Sequence, residues 1–417
     1  LLAKSLQCSA NLRTSHHEPI LLVPGTTVTP AVEYSWTYER AFNHLHLPWC
    51  AVTLPDSAMG DIQTAGEYVV HAIRTMHAAT QKSVQIVGHS QGGMVPRWAL
   101  RFWPDTRAMV DDMIGMAPSN HGTVDAFGLC LPVSGCAPAI WQQELNSPFL
   151  AALNSGAETF AGISYTQIYT VEDEVVVPNF SDAGSSSLRT GAGWIANISV
   201  QSVCPGHITD HLLIGTADPV AYALVMDALG HHGPANPSRI SKSVCSAEFQ
   251  PGVVPADFAT NFAKTGAYLG TVLATSRRVS AAPPLASYTR GLTPPPADEV
   301  FAAGLSPAKP ATPTSWSPMF RYPWEAAVKA LEATAPDADG ARRLRYTNPM
   351  TGGAVLSTID CYVMGLTKGV ETTAYRTNSN AACVVVEGEG QSRVGDDTIS
   401  WGPKDIFILP HNQWISH

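Results

Sequence analysis

Charge is scarce in this chain of 417 residues. Only 14% of the side chains are Asp, Glu, Lys or Arg, and 25 basic residues against 34 acidic ones leave a formal net charge of −9. The basic residues are scattered, so the positive patch that nucleic acid would require is missing. No apolar run approaches the roughly 18–20 residues of a membrane span, so no transmembrane segment is expected. No Cys-x-x-Cys and no Cys/His cluster at zinc spacing is present, which argues against a metal site. Internal repeats are also absent. What the chain has instead is 45% hydrophobic residues, too many for a disordered polymer. It is longer than the roughly 250–300 residues over which one core usually grows, so two domains are expected.

Eight cysteines are present: Cys8, Cys50, Cys130, Cys136, Cys204, Cys245, Cys361 and Cys383. An even count fits disulfides in an exported chain and equally fits unpaired core thiols in a cytosolic one. The chain begins at Leu1 rather than Met, as expected where an export signal has been removed or left out. Asn179-Phe180-Ser181 and Asn197-Ile198-Ser199 would be glycosylated if a eukaryotic cell secretes the chain.

The first three hundred residues alternate strand and helix signals. Pro19 to Val23 is a short apolar run closed by Pro24-Gly25, a buried strand entering a tight loop. Trp49 to Leu54, Val84 to Val87 and Asp112 to Ala117 read as further strands. Residues Ile62, Ala65, Tyr68, Val69, Ala72, Ile73 and Met76 recur at helical spacing within Asp61 to Ala79. A second helix runs from about Gly92 to Phe102, with Pro96 near its first turn, where a missing amide proton costs little. From Asn120 to Ile140 the pattern lapses into Gly, Pro, Ser and Cys, as lids and substrate walls do. Tyr165 to Tyr169 and Asn197 to Val203 read as the last two strands, and Pro219 to Leu229 and Ala256 to Ala274 as helices. The apolar stripe Phe258, Phe262, Leu269, Val272 and Leu273 of the last helix is read as core packing ahead of a substrate wall. This alternation indicates an α/β fold with a mostly parallel sheet. Residues 1–293 form that domain, 294–316 a Pro-rich linker, and 317–417 a small, all-β unit led by a helix from Trp324 to Glu332.

The chemistry centres on Gly88-His89-Ser90-Gln91-Gly92, a Gly-x-Ser-x-Gly motif between a strand and a helix. In that context the glycines permit a sharp turn that presents the Ser90 hydroxyl as a nucleophile. A serine needs a base within hydrogen-bond reach, and the base needs an acid to fix its tautomer. In α/β-hydrolases these follow in the order Ser, Asp or Glu, His. Glu172-Asp173-Glu174 follows a strand at the right place, and His207 and His211 follow the next. Asp173 is taken as the acid. Either histidine could be the base, with His211 favoured because it adjoins the apolar Leu212-Leu213-Ile214. His89 is expected to line the cleft or pack, His121 to be a solvated or wall residue, and His16-His17 and His231-His232 to be surface pairs. Oxyanion donors are sought at the Gln91 amide and at Thr26, after the first strand.

Pro19 to Thr26, Ser90 to Gly93, Ala117-Pro118, His121-Gly122-Thr123, Trp141-Gln142-Gln143, Asp173 to Val176 and Asp210-His211 together resemble the fungal lipases of the Candida antarctica lipase B type. The match runs in order over residues 8–290 and implies the α/β-hydrolase fold. It also implies ester hydrolysis by Ser90, Asp173 and His211, with oxyanion donors at Thr26 and Gln91 and no cofactor. The same resemblance implies that Gln143 and Val175 line the substrate pocket, that Ser119 replaces an aspartate at the pocket wall, and that His89 replaces a tryptophan that shapes its alcohol side. It implies disulfides Cys8–Cys50 and Cys204–Cys245. Cys130 and Cys136, six apart in the lid loop, are expected to form a third, while Cys361 and Cys383 are expected to be core thiols.

The tail resembles the C-terminal cupin half of gentisate 1,2-dioxygenases. The resemblance is carried by Phe320 to Glu325, Leu344 to Pro349, Val385 to Gly390 and Trp401 to Asp405. A metal cupin needs two close histidines and a glutamate, then a later histidine. Here the corresponding place reads Tyr375-Arg376-Thr377, leaving only His411 and His417. The tail is therefore expected to be a degenerate, truncated cupin-like segment without redox chemistry. The function expected of the chain is that of a secreted, monomeric triacylglycerol lipase or carboxylic-ester hydrolase, with an ester or lipid substrate and contact with a lipid interface. The alternative is a cupin-type dioxygenase or binding module fused to a lipase-like scaffold.

Overall fold

In the computed structural model the chain divides into two compact units, Leu1–Pro294 and Pro295–His417. The structure describes residues 2–130, 135–289, 324–337, 340–346 and 360–417. The Pro-rich stretch 294–316, the tip of the Cys130–Cys136 loop and the segments Phe320 to Pro323 and Thr347 to Pro349 lie outside the described residues.

The first unit is built on a seven-stranded sheet. In chain order its elements are β1 (Leu6–Cys8), β2 (Ile20–Val23), α1 (Pro30–Glu33), α2 (Tyr38–His44), β3 (Trp49–Val52), α3 (Ile62–Thr80), β4 (Val84–His89), α4 (Gln91–Phe102), β5 (Val110–Met116), α5 (Asp125–Leu129), α6 (Pro138–Gln142), α7 (Pro148–Asn154), β6 (Ser164–Tyr169), β7 (Trp194–Ser199), α8 (Val200–Val203), α9 (His211–Thr216), α10 (Pro219–Gly230) and α11 (Pro255–Thr275). The strand order is β1-β3-β2-β4-β5-β6-β7, and all neighbours are parallel except β1 with β3. Alternation along the strands sends side chains to opposite faces. Leu21, Val23, Ile86 and Met113 enter a core with α3 and α4, while Ile20, Leu22, Val87 and Ile114 enter another with α2 and α10. Both faces are thus covered, as a parallel sheet requires.

Several local expectations shift. Residues 200–203 leave the strand and turn as α8, because the Ser199 hydroxyl accepts the Ser202 amide and caps a helix. Pro96 falls in the second turn of α4. The run from His211 to Gly230 is long and apolar enough for a membrane span, yet 72% of that window is buried inside this unit. It is broken by Asp218, whose carboxylate caps α10 through the Val220 and Ala221 amides. The stripe on α11 is not core: only Thr265 is buried. Phe258 and Phe262 half-cover Trp36, and Val272 and Leu273 half-cover the Cys130–Cys136 cluster. That helix lies on the outside of the unit, against α1, instead of inside it. Disulfides join Cys8 to Cys50, Cys130 to Cys136 and Cys204 to Cys245.

The second unit carries α12 (Trp324–Ala333), β8 (Arg342–Arg345), β9 (Tyr362–Gly365), β10 (Tyr375–Arg376), β11 (Ala381–Val384), β12 (Gly390–Val394), β13 (Asp397–Trp401), β14 (Ile406–Leu409) and β15 (Trp414–Ser416). Among the described residues its pairings are antiparallel: a four-stranded sheet β10-β15-β12-β13 and the ladders β11–β14 and β8–β9. Its core is small, centred on Val394, Leu409 and Ile415. Cys361 and Cys383 are half-buried free thiols, not core ones, because so small a core leaves them partly uncovered.

Candidate active site

The strand β4 runs straight into α4, and Ser90 is the hinge residue, with φ 54° and ψ −125°. A non-glycine residue there is strained by about 1–3 kcal/mol, which the surroundings must offset. The Ser90 amide bonds the Met116 carbonyl at 2.8 Å, and the Gly93 amide bonds the Ser90 carbonyl at 3.0 Å. A Cβ on Gly92 would overlap the Val23 carbonyl, so only glycine lets α4 start this close to β2. Ser90 therefore stands at the carboxyl end of a central strand, beside the first amides of a twelve-residue helix.

The loops after β6 and β7 meet beside that turn. His211 is not on a loop, as its apolar neighbours suggest, but is the first residue of α9, which Asp210 caps through the Leu213 amide at 2.7 Å. Its Nδ1 lies 2.9 and 3.1 Å from the two oxygens of Asp173. Asp173 is buried. Burial works to raise its carboxyl, but His211 and the Val176 and Val175 amides outweigh it and hold the group below the usual carboxylate range. Its flanking acids are used too: Glu174 accepts the His211 amide at 3.0 Å, and Glu172 the Thr209 amide at 3.2 Å. His207 is engaged elsewhere, through Nε2 on Asp218, whose hydrogen bond holds the imidazole above its ordinary range.

At the end of β2, the Thr26 hydroxyl oxygen accepts hydrogen bonds from Gln91 Nε2 and Gln143 Nε2, each at 3.1 Å. Both acceptor positions are thus filled, and the Thr26 proton is left to donate. Gln143 is itself held by Ser119, whose hydroxyl donates to Gln143 Oε1 at 2.8 Å. Ser119 is only 1% exposed, so it orients Gln143 from behind and does not form a pocket wall. Gln143 is likewise buried, while Val175 is 42% exposed.

Of the two places expected for His89, lining the cleft or packing, the structure has it packed. It is 3% exposed, its Nδ1 meets Glu33, and its Nε2 bonds the His211 main-chain carbonyl at 2.8 Å. With both ring nitrogens engaged, it offers no polar face to a ligand in the pocket. Glu33 is missing from any sequence reading of the site. It lies 56 residues before His89 and no motif marks it. His121 is pinned between Glu158 and the Ser185 carbonyl instead of being solvated. The sequon residues Asn179 and Asn197 are used internally, on Asp173 and Ser186 and on Leu188 respectively. Asn179 is 1% exposed and cannot carry a glycan in this fold.

In the second unit, His417 Nδ1 lies 2.8 Å from the Ser392 hydroxyl and Nε2 3.4 Å from that of Tyr375. His411 bonds Asn380. Among the described residues no three His, Cys, Asp or Glu side chains are grouped to hold a metal ion.

Comparison with known proteins matches residues 17–199 to the family model Lipase (class 2). The chain is 33% identical over 216 residues to Lipase B of Pseudozyma antarctica, covering 51% of this chain and 61% of that protein. The crystal structure of Aspergillus fumigatus lipase B superposes with a TM-score of 0.64 at 30% identity, over 69% of this chain and 71% of that one. The C-terminal part is 34% identical over 105 residues to Gentisate 1,2 dioxygenase 1 of Aquipseudomonas alcaligenes, 24% of this chain and 30% of that protein. The chain thus spans less than two thirds of either curated relative.

Proposed function

Since this chain belongs to the class 2 lipase family, we propose that it is a serine carboxylic-ester hydrolase acting on lipid esters, triacylglycerols among them. Ser90 is the nucleophile, His211 the general base and Asp173 the orienting acid. The observation that carries this reading is a strained serine turn whose preceding residue, His89, bonds the His211 main chain at 2.8 Å, beside an imidazole whose Nδ1 lies 2.9 Å from a buried carboxylate. That bond leaves Nε2 as the basic nitrogen.

In the proposed reaction His211 Nε2 takes the Ser90 proton as Oγ attacks the ester carbonyl. The Thr26 hydroxyl and the amides of Thr26 and Gln91 receive the oxyanion. Collapse expels the alkoxide, which takes the proton from His211. Water then attacks the acyl-enzyme by the same route, releasing the acid and restoring Ser90. Asp173 stays ionised throughout, because its carboxyl is held low, and it stabilises the imidazolium.

The half-exposed Val124, Phe127 and Leu129 suit contact with a lipid surface. They adjoin the site through the Val124 amide on the Val177 carbonyl and the Thr123 hydroxyl on the Val175 carbonyl. Three disulfides in the first unit support residence outside the cell. One unit holds every residue in the scheme, so a monomer suffices for the reaction. Ser90→Ala should abolish hydrolysis of short p-nitrophenyl esters and labelling by a fluorophosphonate, while leaving the melting temperature nearly unchanged. Retained turnover would refute the assignment.

A further inference from the structure

The buried pair behind the site is unused by that mechanism. Glu33 ends α1, is fully buried, and spreads its two carboxylate oxygens over different segments. Oε2 accepts the amide of Gly25, the residue before Thr26, at 3.0 Å. Oε1 meets His89 Nδ1, on the residue before Ser90. His89 Nε2 then bonds the main-chain carbonyl of His211 at 2.8 Å, with the two imidazole rings 4.9 Å apart.

The protons in this chain can be counted. A carbonyl oxygen only accepts, so Nε2 carries a hydrogen. One further proton lies between Nδ1 and the carboxylate. The pair is therefore neutral as a whole. Burial opposes charge on His89, but Glu33 outweighs it and holds the imidazole above its ordinary range. The ring has no room to swing: a Cβ on Gly215 of α9 would overlap it, and one on Gly25 would stand 3.3 Å from Nδ1.

Stability alone does not call for this arrangement, since apolar residues of similar volume often replace a buried ion pair without loss. Its bonds run instead to the three segments that the reaction needs in register. We propose that Glu33 and His89 are positioning residues, a brace that ties the oxyanion strand end, the nucleophile turn and the main chain of His211 into one rigid unit. This rests on the roles given to Ser90, His211 and Thr26 above. Together with Glu174 on its amide, His89 fixes both main-chain polar groups of His211.

Two mild substitutions at Glu33 separate geometry from charge. Glu33→Gln removes the charge but keeps every bond: its oxygen accepts the Gly25 amide, its nitrogen donates to Nδ1 of a neutral His89, and Nε2–H still reaches His211. Glu33→Asp keeps the charge but is one methylene shorter, so one carboxylate cannot span Gly25 and His89 together. On p-nitrophenyl esters the Gln variant should keep kcat within about threefold. The Asp variant should lose roughly 10- to 100-fold in kcat with KM unchanged, as misplacement of a reacting group by about an ångström does.

Any other pattern overturns the proposal: both variants near wild type, both equally impaired, Gln worse than Asp, or a change in KM alone. If Glu33→Asp does not fold, the double variant Glu33→Gln, His89→Asn replaces it. There the introduced asparagine can meet the introduced glutamine but cannot reach the His211 carbonyl. The double variant should show the same loss, and retained kcat would overturn the brace. A wild-type chain without ester turnover, or turnover that survives Ser90→Ala, would refute the hydrolase reading itself and is thereby distinguished from failure of the brace.

Discussion

Replacing Thr26 with valine tests how the oxyanion is held. Valine is nearly isosteric and removes only the hydroxyl. That hydroxyl already accepts from Gln91 and Gln143 at 3.1 Å each, so its proton is the group freed for a substrate oxygen. Loss of one preorganised oxyanion donor costs on the order of 10²–10³ in kcat, about 3–4 kcal/mol of transition-state stabilisation. The ground-state ester carbonyl bears little charge, so KM should hardly move. The substitution also strands one N–H of Gln91 and one of Gln143, although each nitrogen keeps a second acceptor, the Ala58 and Ala139 carbonyls. A stranded buried donor costs about 1–3 kcal/mol of stability, so the melting temperature should fall as well. Steady-state kinetics on p-nitrophenyl esters, with active sites titrated by fluorophosphonate, separate the two effects. Thr26→Ser keeps the hydroxyl and should recover most of the rate. A valine variant within threefold of wild type in kcat, or one impaired only in KM, would refute the assignment of the hydroxyl as a donor.

Other outcomes follow from neighbouring groups. Asp173→Asn should lower kcat on the order of 10³-fold or more, because an amide donates to Nδ1 and selects the wrong tautomer; steady-state kinetics on the folded variant check this. In the cleft lined by Glu18, Asp111 and Asp112, burial first and then like charge push the carboxyls of Glu18 and Asp112 up to about 7. Asp112 also has Oδ1 without a hydrogen-bond partner. For an acid with a raised folded pKa, the folded state holds the proton longer than the unfolded chain. This contribution is therefore full below the ordinary value of 3.8 for Asp112 and is lost as pH rises through about 7. Asp112→Asn should flatten the fall in melting temperature between about pH 4 and pH 7, and an unchanged slope would contradict the assignment. Thiol titration of the unfolded, unreduced chain should find two free cysteines, Cys361 and Cys383. Four, mapping to Cys130 and Cys136, would remove the lid disulfide. On the loop-entropy model, opening Cys204–Cys245 should cost about 4 kcal/mol and opening Cys130–Cys136 only about 2 kcal/mol, as read by denaturant melts.

Much of the first unit was legible because its signals are local. The apolar runs of β2, β4 and β5 and the spacing in α3 and α4 each depend on residues a few positions apart, and a buried parallel sheet leaves them little choice. Boundaries were less legible. A side-chain cap at Ser199 turned the end of β7 into α8, and apolar periodicity carries no trace of that hydrogen bond. The stripe on α11 looked like core because periodicity reports that a face is apolar, not what covers it.

The sequence by itself determined that Ser90 stands between a strand and a helix, and that an acid and histidines follow it in hydrolase order. These are properties of short segments and of chain order. Only the tertiary structure decided that Glu33 reaches His89, that His89 turns away from the pocket to the His211 carbonyl, that His207 is spent on Asp218, and that Ser119 acts through Gln143 on Thr26. Those contacts join residues as many as 122 positions apart. They depend on where strand ends and helix starts come to lie, and on which buried polar groups must find one another once water is excluded.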